Sequence, residues 1–139
     1  MTLQAPAPTV TAPDFTSDHY AWGDWWIDTN GHLFREFERL VTDRLQQRPD
    51  ARISADMVLH VIRWNTDIRG EGEPVSINNN ASSLCARLYI ALYPAAARNF
   101  EIRRSWIDDL RPSDWSNLTF KASRVKKPVD LGPLFGGRA

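Results

Sequence analysis

Residues suited to binding nucleic acid gather around one predicted helix, over residues 82–93. Its start and outer face carry Asn79, Asn80, Ser82, Ser83 and Arg87. Asn and Arg side chains pair bidentately with adenine and guanine edges, and Ser suits a phosphate or either kind of base. In DNA-binding proteins such contacts come from the N-terminal end of a recognition helix in the major groove. The pattern favours DNA recognition by this helix, although Asn79, Asn80 or Ser82 can equally serve as its N-cap.

Basic residues follow that helix in two groups and extend the predicted DNA surface. The first group is Arg103 and Arg104, on a predicted strand over 100–104, and the second is Lys121, Arg124, Lys126 and Lys127. Such side chains hold phosphates beside the groove. The alternative is that the two arginines are solvated or paired with carboxylates such as Asp108 and Asp109, as surface charges often are. The formal net charge is zero, so the total does not decide between the two interpretations.

Four aromatic side chains lie close together near the N-terminus, at Tyr20, Trp22, Trp25 and Trp26. Aromatic residues bury large areas, so one interpretation is that they pack on the chain's own helices. Trp and Tyr are also frequent anchors of protein interfaces, so the other interpretation is a partner-binding or homodimer surface. The sequence leaves both interpretations open.

Residue types that support catalysis or metal binding are present but not suitably spaced. The three histidines, His19, His32 and His60, have no metal-ligand spacing with another His, Cys or carboxylate. Cys85 is the one cysteine and falls on the apolar side of its predicted helix, which is typical of a small core residue. We therefore predict that the protein is not an enzyme and holds no cofactor and no metal.

Hydrophobic periodicity predicts the helices that position these residues. Apolar positions spaced by three and four predict a helix over 32–47, capped by Thr29 or Asn30. A second helix follows Ser54 as its N-cap, with Met57 and Val61 on its buried apolar stripe. Short strands are predicted at 52–54, 75–77, 100–104 and near 120–125, and a helical turn near 106–110. This order predicts an α+β, mostly helical fold, a winged helix-turn-helix-like three-helix core with a small β element.

The composition along the chain predicts one domain with two tails. Residues 1–18 are rich in Pro, Ala and Thr and are predicted to be a flexible arm, followed by a single domain over 19–120. Residues 121–139 form a basic tail that contains Pro and Gly. No apolar run is long enough to cross a membrane, and the first residues lack the pattern of a secretory signal. We expect a cytoplasmic location in a bacterial host cell, with the virion as an alternative.

Four short motifs mark the middle of the chain: I-N-N-N at 77–80, A-R-L at 86–88, Pro94 and F-E-I-R-R at 100–104. Their order resembles a group of small uncharacterised bacterial and prophage proteins, in which K-I-N-N-N precedes a helix with Y-A-R-L, then proline and F-E-L-R-R. The resemblance covers residues 32–105 and implies a phage or mobile-element origin with a winged-helix-like core, but no site residues. This chain differs from the group in its Leu84-Cys85 pair, where an aromatic residue and Tyr are usual, and in its Trp-rich N-terminus.

These observations predict a non-catalytic phage or mobile-element DNA-binding protein that uses helix 82–93 and the basic strand 100–104. Its expected partner is double-stranded DNA, bound by a monomer or by a homodimer. The first alternative is a phage-encoded protein-interaction module that inhibits or redirects a host protein, with the aromatic N-terminal segment as its contact surface. A further alternative is a structural component of a phage particle.

Overall fold

A computed structural model describes residues 12–69 and 78–127, which are predominantly helical. The elements are α1 (His19–Gln47), α2 (Ala55–Arg69), α3 (Asn79–Leu92) and α4 (Pro112–Arg124), with 3₁₀ turns at Pro94–Asn99 and Trp106–Asp109. The helix α1 contacts the other three α-helices, and α3 packs against both α2 and α4. The mostly helical character and the short helical turn near 106–110 are confirmed.

The long helix α1 begins well before the predicted start. The Asp18 side chain caps it by accepting a hydrogen bond of 2.9 Å from the Ala21 N–H. Trp22, Trp26 and Ile27 are buried with helical spacing, so the aromatic segment forms the first part of the helix. Asn30 therefore does not start α1 but kinks it, with φ −126° and ψ 18°. The predicted helix start at Thr29 or Asn30 coincides with this kink, and the prediction missed the helical segment that precedes it.

A close approach between helices explains the glycine beside this kink. A Cβ placed on Gly31 would lie 2.9 Å from Cγ2 and 3.0 Å from Cγ1 of Val125. Val125 is the C-cap of α4, and it packs against the core. Gly31 thus lets the end of α4 rest directly on the α1 backbone.

The starts of α2 and α3 differ in how well they were predicted. Ser54 Oγ accepts a 3.2 Å hydrogen bond from the Met57 N–H, which confirms the predicted cap. At α3 the cap is Asn78, whose Oδ1 accepts a 2.9 Å hydrogen bond from the Ala81 N–H. The prediction that the capping oxygen comes from one of three later residues, Asn79, Asn80 or Ser82, was wrong. The run of asparagines marked the cap correctly but not its register.

The predicted β element is reduced to one bridge in the described ranges. Ile53 pairs with Phe100 in parallel, and the Ile53 N–H donates to the Asn99 carbonyl at 2.8 Å. Residues 101–105 have no regular secondary structure, and Ile102 is exposed. The predicted strand 100–104 was therefore wrong, because a strand needs a neighbour that satisfies successive backbone groups. The predicted strand at 75–77 lies outside the described residues.

The predicted strand near 120–125 was also wrong, because these residues belong to α4 and its C-cap. Trp115, Leu118, Ala122 and Val125 follow the three and four spacing of a helix face, and all four pack in or against the core. Pro112 stands in the first turn of α4, where its missing N–H costs nothing. Part of the predicted basic tail is consequently the last turn of a core helix.

A buried polar network joins α1 to the ends of α3 and α4. Arg35 donates to two carbonyls at the end of α4, those of Ser123 at 2.8 Å and Val125 at 3.0 Å. It also pairs with Glu38 at 2.8 Å, and both side chains are buried. The second Glu38 oxygen accepts a 2.6 Å hydrogen bond from the hydroxyl of Tyr93, which is the C-cap of α3. This hydrogen bond is the main reason why the pKa of Tyr93 rises to about 12.

Candidate functional site

Much of the polar start of α3, predicted to read DNA, is occupied by contacts inside the protein. Ser82 is buried, and its hydroxyl donates to Oδ1 of Asp56 on α2 at 3.1 Å. The backbone carbonyl of Asn80 accepts a 3.4 Å hydrogen bond from the Trp106 indole, and the Asn80 and Ser83 side chains are half-buried. Asn79 is the one member of the predicted cluster at this end that is exposed. The start of α3 thus mainly joins α2 and the second 3₁₀ turn.

Arg87, the central residue of the predicted DNA surface, is held by an internal carboxylate. Its Nη1 and Nη2 donate to Oδ1 and Oδ2 of Asp108 at 2.9 and 3.1 Å, which is the paired geometry that guanidinium favours. Nη2 also donates to the Arg103 carbonyl at 3.0 Å. Asp108 in turn accepts from the Ser105 N–H at 2.9 Å, and this bond, followed by the Arg87 bond, lowers the pKa of Asp108. Arg87 therefore fastens the segment 101–109 to α3.

The two adjacent arginines also lie beside carboxylates. Arg103 is 3.3 Å from Glu101 and Arg104 is 2.8 Å from Asp109, which corresponds to the alternative left open by the sequence. Both arginines are exposed, so these pairs are weak and exchange readily with solvent. This patch combines three cations with three anions: Arg87, Arg103 and Arg104 with Glu101, Asp108 and Asp109. It therefore has little net attraction for a phosphate backbone.

The predicted basic group near the C-terminus is divided by α4. Lys121 Nζ lies 2.7 Å from both Asp24 and Asp28 of α1. Burial alone lowers the pKa of Lys121, but these two hydrogen-bonded carboxylates outweigh it and raise the pKa. Lys121 thus neutralises part of the charge of Asp24 and Asp28 and ties α4 to α1.

The remaining cations of this group, Arg124, Lys126 and Lys127, are exposed at the end of α4. The Arg124 guanidinium carbon lies 5.9 Å from the centroid of the Phe120 ring, and that ring is itself exposed. We call these four residues the Phe120 patch, and its three cations are a part of the predicted DNA surface that is open to solvent.

The aromatic N-terminal segment packs largely inside the molecule. Trp22 and Trp26 are only 5% and 3% exposed, and Trp22 meets Trp106 edge to face with a centroid distance of 5.7 Å. A side chain enclosed in this way offers no surface to a partner in this conformation. Tyr20 and Trp25 are half-buried and pack against the same core. A role of these two residues in partner binding stays a prediction.

Three large apolar side chains are exposed on α2 in the described part of the chain, where the sequence predicted an apolar stripe facing the core. Leu59 and Ile62 face the core, whereas Met57, Val61 and Trp64 point outward and are 66%, 44% and 66% exposed. With His60 and Arg63 these three residues line a surface depression. We call Met57, Val61 and Trp64 the outer face of α2. Their i, i+4, i+7 spacing is that of a helix face that packs against another helix.

The described residues contain no group of three or more His, Cys, Asp or Glu arranged to hold a metal ion. His19 stacks on Phe15 with a centroid distance of 4.5 Å, and His60 lies 3.4 Å from Asp56. Cys85 is fully buried, and burial raises the pKa of its thiol. A buried thiol of this kind is a poor nucleophile. In the ranges that the structure covers, none of the helices has the length and apolar character needed to cross a membrane.

Comparison of the chain with protein-family profiles, curated proteins and solved structures gave no match. The resemblance to prophage proteins therefore stays a prediction. The observations that bear on the function of this protein are the exposed surfaces of its fold.

Proposed function

We propose that this protein is a non-catalytic protein-interaction module that docks an amphipathic helix on the outer face of α2. The observation that supports it is the exposure of Met57 and Trp64, two large apolar side chains, on the side of a helix whose other side is already buried. Exposing an apolar stripe carries a solubility cost, and contiguous patches of this kind usually mark contact sites. The alternative function considered from the sequence, an interaction module, thus becomes the preferred one, with its surface on α2.

A helix is the partner element that suits this surface best. Met57, Val61 and Trp64 span about 10 Å along the α2 axis, which is about two turns and the usual length of a single helix crossing. Trp is the residue type most enriched among binding hot spots, and Met adapts its shape to its partner. His60 and Arg63 border the stripe and supply polar groups for its rim.

The test is site-specific photo-crosslinking in the cells that produce the protein. A photoreactive amino acid at position 64 is compared with the same group at position 120, since Trp64 and Phe120 are 66% and 65% exposed. We expect discrete protein adducts from position 64 and none from position 120. Equal adducts from both positions, or none from position 64, would contradict the proposal.

A second candidate function, nucleic-acid binding, is supported by the Phe120 patch. An exposed ring with a guanidinium above it, followed along the chain by two exposed lysines, combines a stacking platform with phosphate-binding charge, as in proteins that bind single strands. Duplex DNA, the partner expected from the sequence, would here be bound by the same cations through its phosphates. This proposal places the contact on α4, away from Arg87, Arg103 and Arg104.

Salt dependence separates this second candidate from a patch that binds nothing. Affinity for a random single-stranded oligonucleotide is measured at two salt concentrations for wild type, for Lys126→Ala/Lys127→Ala and for Arg103→Ala/Arg104→Ala. We expect the lysine pair to contribute about 1.4 to the slope of log affinity against log salt, and the arginine pair to contribute much less. Absence of binding at low salt would exclude this candidate. A larger change of slope in Arg103→Ala/Arg104→Ala than in Lys126→Ala/Lys127→Ala would mean that the binding site lies at residues 100–104, as the sequence predicted.

A further inference from the structure

We propose that the occupant of the outer face of α2 is α2 of a second copy of the chain, packed antiparallel around a two-fold axis near residues 60 and 61. This inference rests on the proposed function, because it names the partner helix for the same surface. A two-fold contact requires a surface that complements itself. The outer face of α2 meets that requirement in shape and in charge.

The order of side chains along α2 makes the face self-complementary in shape. In an antiparallel pair, Met57 of each copy lies opposite Trp64 of the other, and the smaller Val61 side chains meet near the axis. A thioether beside an indole is a favourable contact, and it occurs twice because of the symmetry. A parallel pair would instead place the two large Trp64 side chains against each other.

The charges beside the stripe follow the same symmetry. Asp56 lies near the start of α2 and Arg63 near the end of the outer face. Antiparallel packing brings the acidic end of each helix toward the basic end of its mate, whereas parallel packing opposes like charges. The formal net charge of the chain is zero, so two copies approach each other without long-range repulsion.

The size of the contact predicts a weak dimer. Stable interfaces bury about 800 Å² on each partner, and one helix crossing that involves three main side chains buries less. We therefore expect a dissociation constant on the order of 10 to 100 μM. Such a dimer forms at high local concentration and dissociates on dilution.

Sedimentation velocity of the purified chain over a concentration series tests this inference. We expect a reversible shift from the 15.9 kDa monomer toward a species of twice that mass. Trp64→Ala should weaken the association at least tenfold, and Phe120→Ala, at a position of matched exposure, should leave it unchanged. A wild-type chain that stays monomeric up to about 1 mM, a concentration far above the expected constant, overturns the inference, as does an equal effect of the two variants.

A disulfide experiment checks independently that α2 of one copy meets α2 of the other. Val61 and Ile102 are 44% and 41% exposed, so Val61→Cys and Ile102→Cys form a matched pair. The native Cys85 is buried and does not compete. Mild oxidation should convert Val61→Cys into a covalent dimer at least tenfold faster than Ile102→Cys, and equal rates would overturn the contact through α2.

The two proposals fail in different ways. A monomer in sedimentation, together with discrete adducts from position 64 whose mass is not twice that of the chain, overturns self-association and leaves the interaction module standing. A monomer with no adduct from position 64 overturns both.

Discussion

Arg87 on α3 and Asp108 in the second 3₁₀ turn form a two-bond ion pair, with N–O distances of 2.9 and 3.1 Å. The pair orders the segment that carries Arg103 and Arg104, because Arg87 also binds the Arg103 carbonyl. A residue predicted to read DNA bases is thus an internal clamp. The same relationship supports moving the candidate contact surface from α3 to α2.

A double-mutant cycle on Arg87→Ala and Asp108→Ala measures the coupling free energy of this ion pair. We expect a coupling of about 0.5 to 1 kcal/mol in the free energy of unfolding, since the side chains are partly shielded and geometrically paired. The exposed pair Arg104 and Asp109 is the control, and its coupling should be close to zero. Equal coupling in both cycles, measured by urea denaturation, would mean that Arg87 is no more fixed than a surface arginine.

Gly31→Ala should destabilise the protein, although Ala normally stabilises a helix by about 1 kcal/mol relative to Gly. The new methyl group would lie 2.9 Å from Cγ2 of Val125, whose branched side chain has little freedom to move away. We expect a loss of about 1 to 3 kcal/mol in the free energy of unfolding. In a Val125→Ala background the same substitution should cost much less. An increase in stability from Gly31→Ala alone would show that α4 does not rest on the α1 backbone as described.

Tyr93→Phe should lower the free energy of unfolding and should also make it less dependent on pH. Glu38 loses a hydrogen bond at 2.6 Å, which we expect to cost about 1.5 to 3 kcal/mol near neutral pH. The folded chain holds the Tyr93 proton up to a pKa of about 12, whereas the ordinary value is 10.0. Stability should therefore fall as the pH rises from about 10 to 12, because the unfolded chain releases this proton first.

Thermal unfolding between pH 8 and 12 measures this effect. The slope between pH 10 and 12 should be smaller in Tyr93→Phe than in wild type. Identical slopes in the two proteins would mean that Tyr93 does not donate a hydrogen bond to Glu38.

The sequence predicted the helices well where an apolar stripe alternated with charge. In α1, Leu33, Phe34, Phe37 and Val41 are buried at the predicted spacing. The kink at Asn30 was not predictable as a kink, because Asn-Gly is equally typical of a cap and of a turn. Whether Asn-Gly forms a cap, a turn or a kink depends on contacts with α4. Val125 at the end of α4 contacts Gly31, although it lies 94 positions further along the chain.

The outer face of α2 was predicted as core for a clear physical reason. Apolar residues occur on more than one side of this helix, at Met57, Leu59, Val61, Ile62 and Trp64. Periodicity alone does not state which side faces inward, since both sides satisfy a three and four spacing. An excess of apolar positions for a helix that is buried on one side was the signal that a contact surface was present.

Several of the basic residues form ion pairs with carboxylates on other elements, and spacing along the chain does not reveal these pairs. Lys121 meets Asp24 and Asp28 across the interface of α4 with α1, and Arg87 meets Asp108 across a loop. The sequence offered pairing of the adjacent arginines with carboxylates such as Asp108 and Asp109 as an alternative, and the two arginines lie beside Glu101 and Asp109. Arg87 and Lys121 are half-buried, whereas the other predicted basic residues are exposed: Arg103, Arg104, Arg124, Lys126 and Lys127.

The central claim, that the outer face of α2 is a protein contact surface, is tested most directly at the methyl group of Met57. The chain contains two methionines, Met1 and Met57, so methyl-labelled methionine gives two signals, and the one that Met57→Leu removes belongs to the outer face of α2. We expect this Met57 methyl resonance to shift or broaden as the protein concentration rises to about 1 mM, well above the expected dissociation constant. We expect the same change when lysate of the producing cells is added to protein at low concentration. An unperturbed Met57 resonance under both conditions would contradict the account.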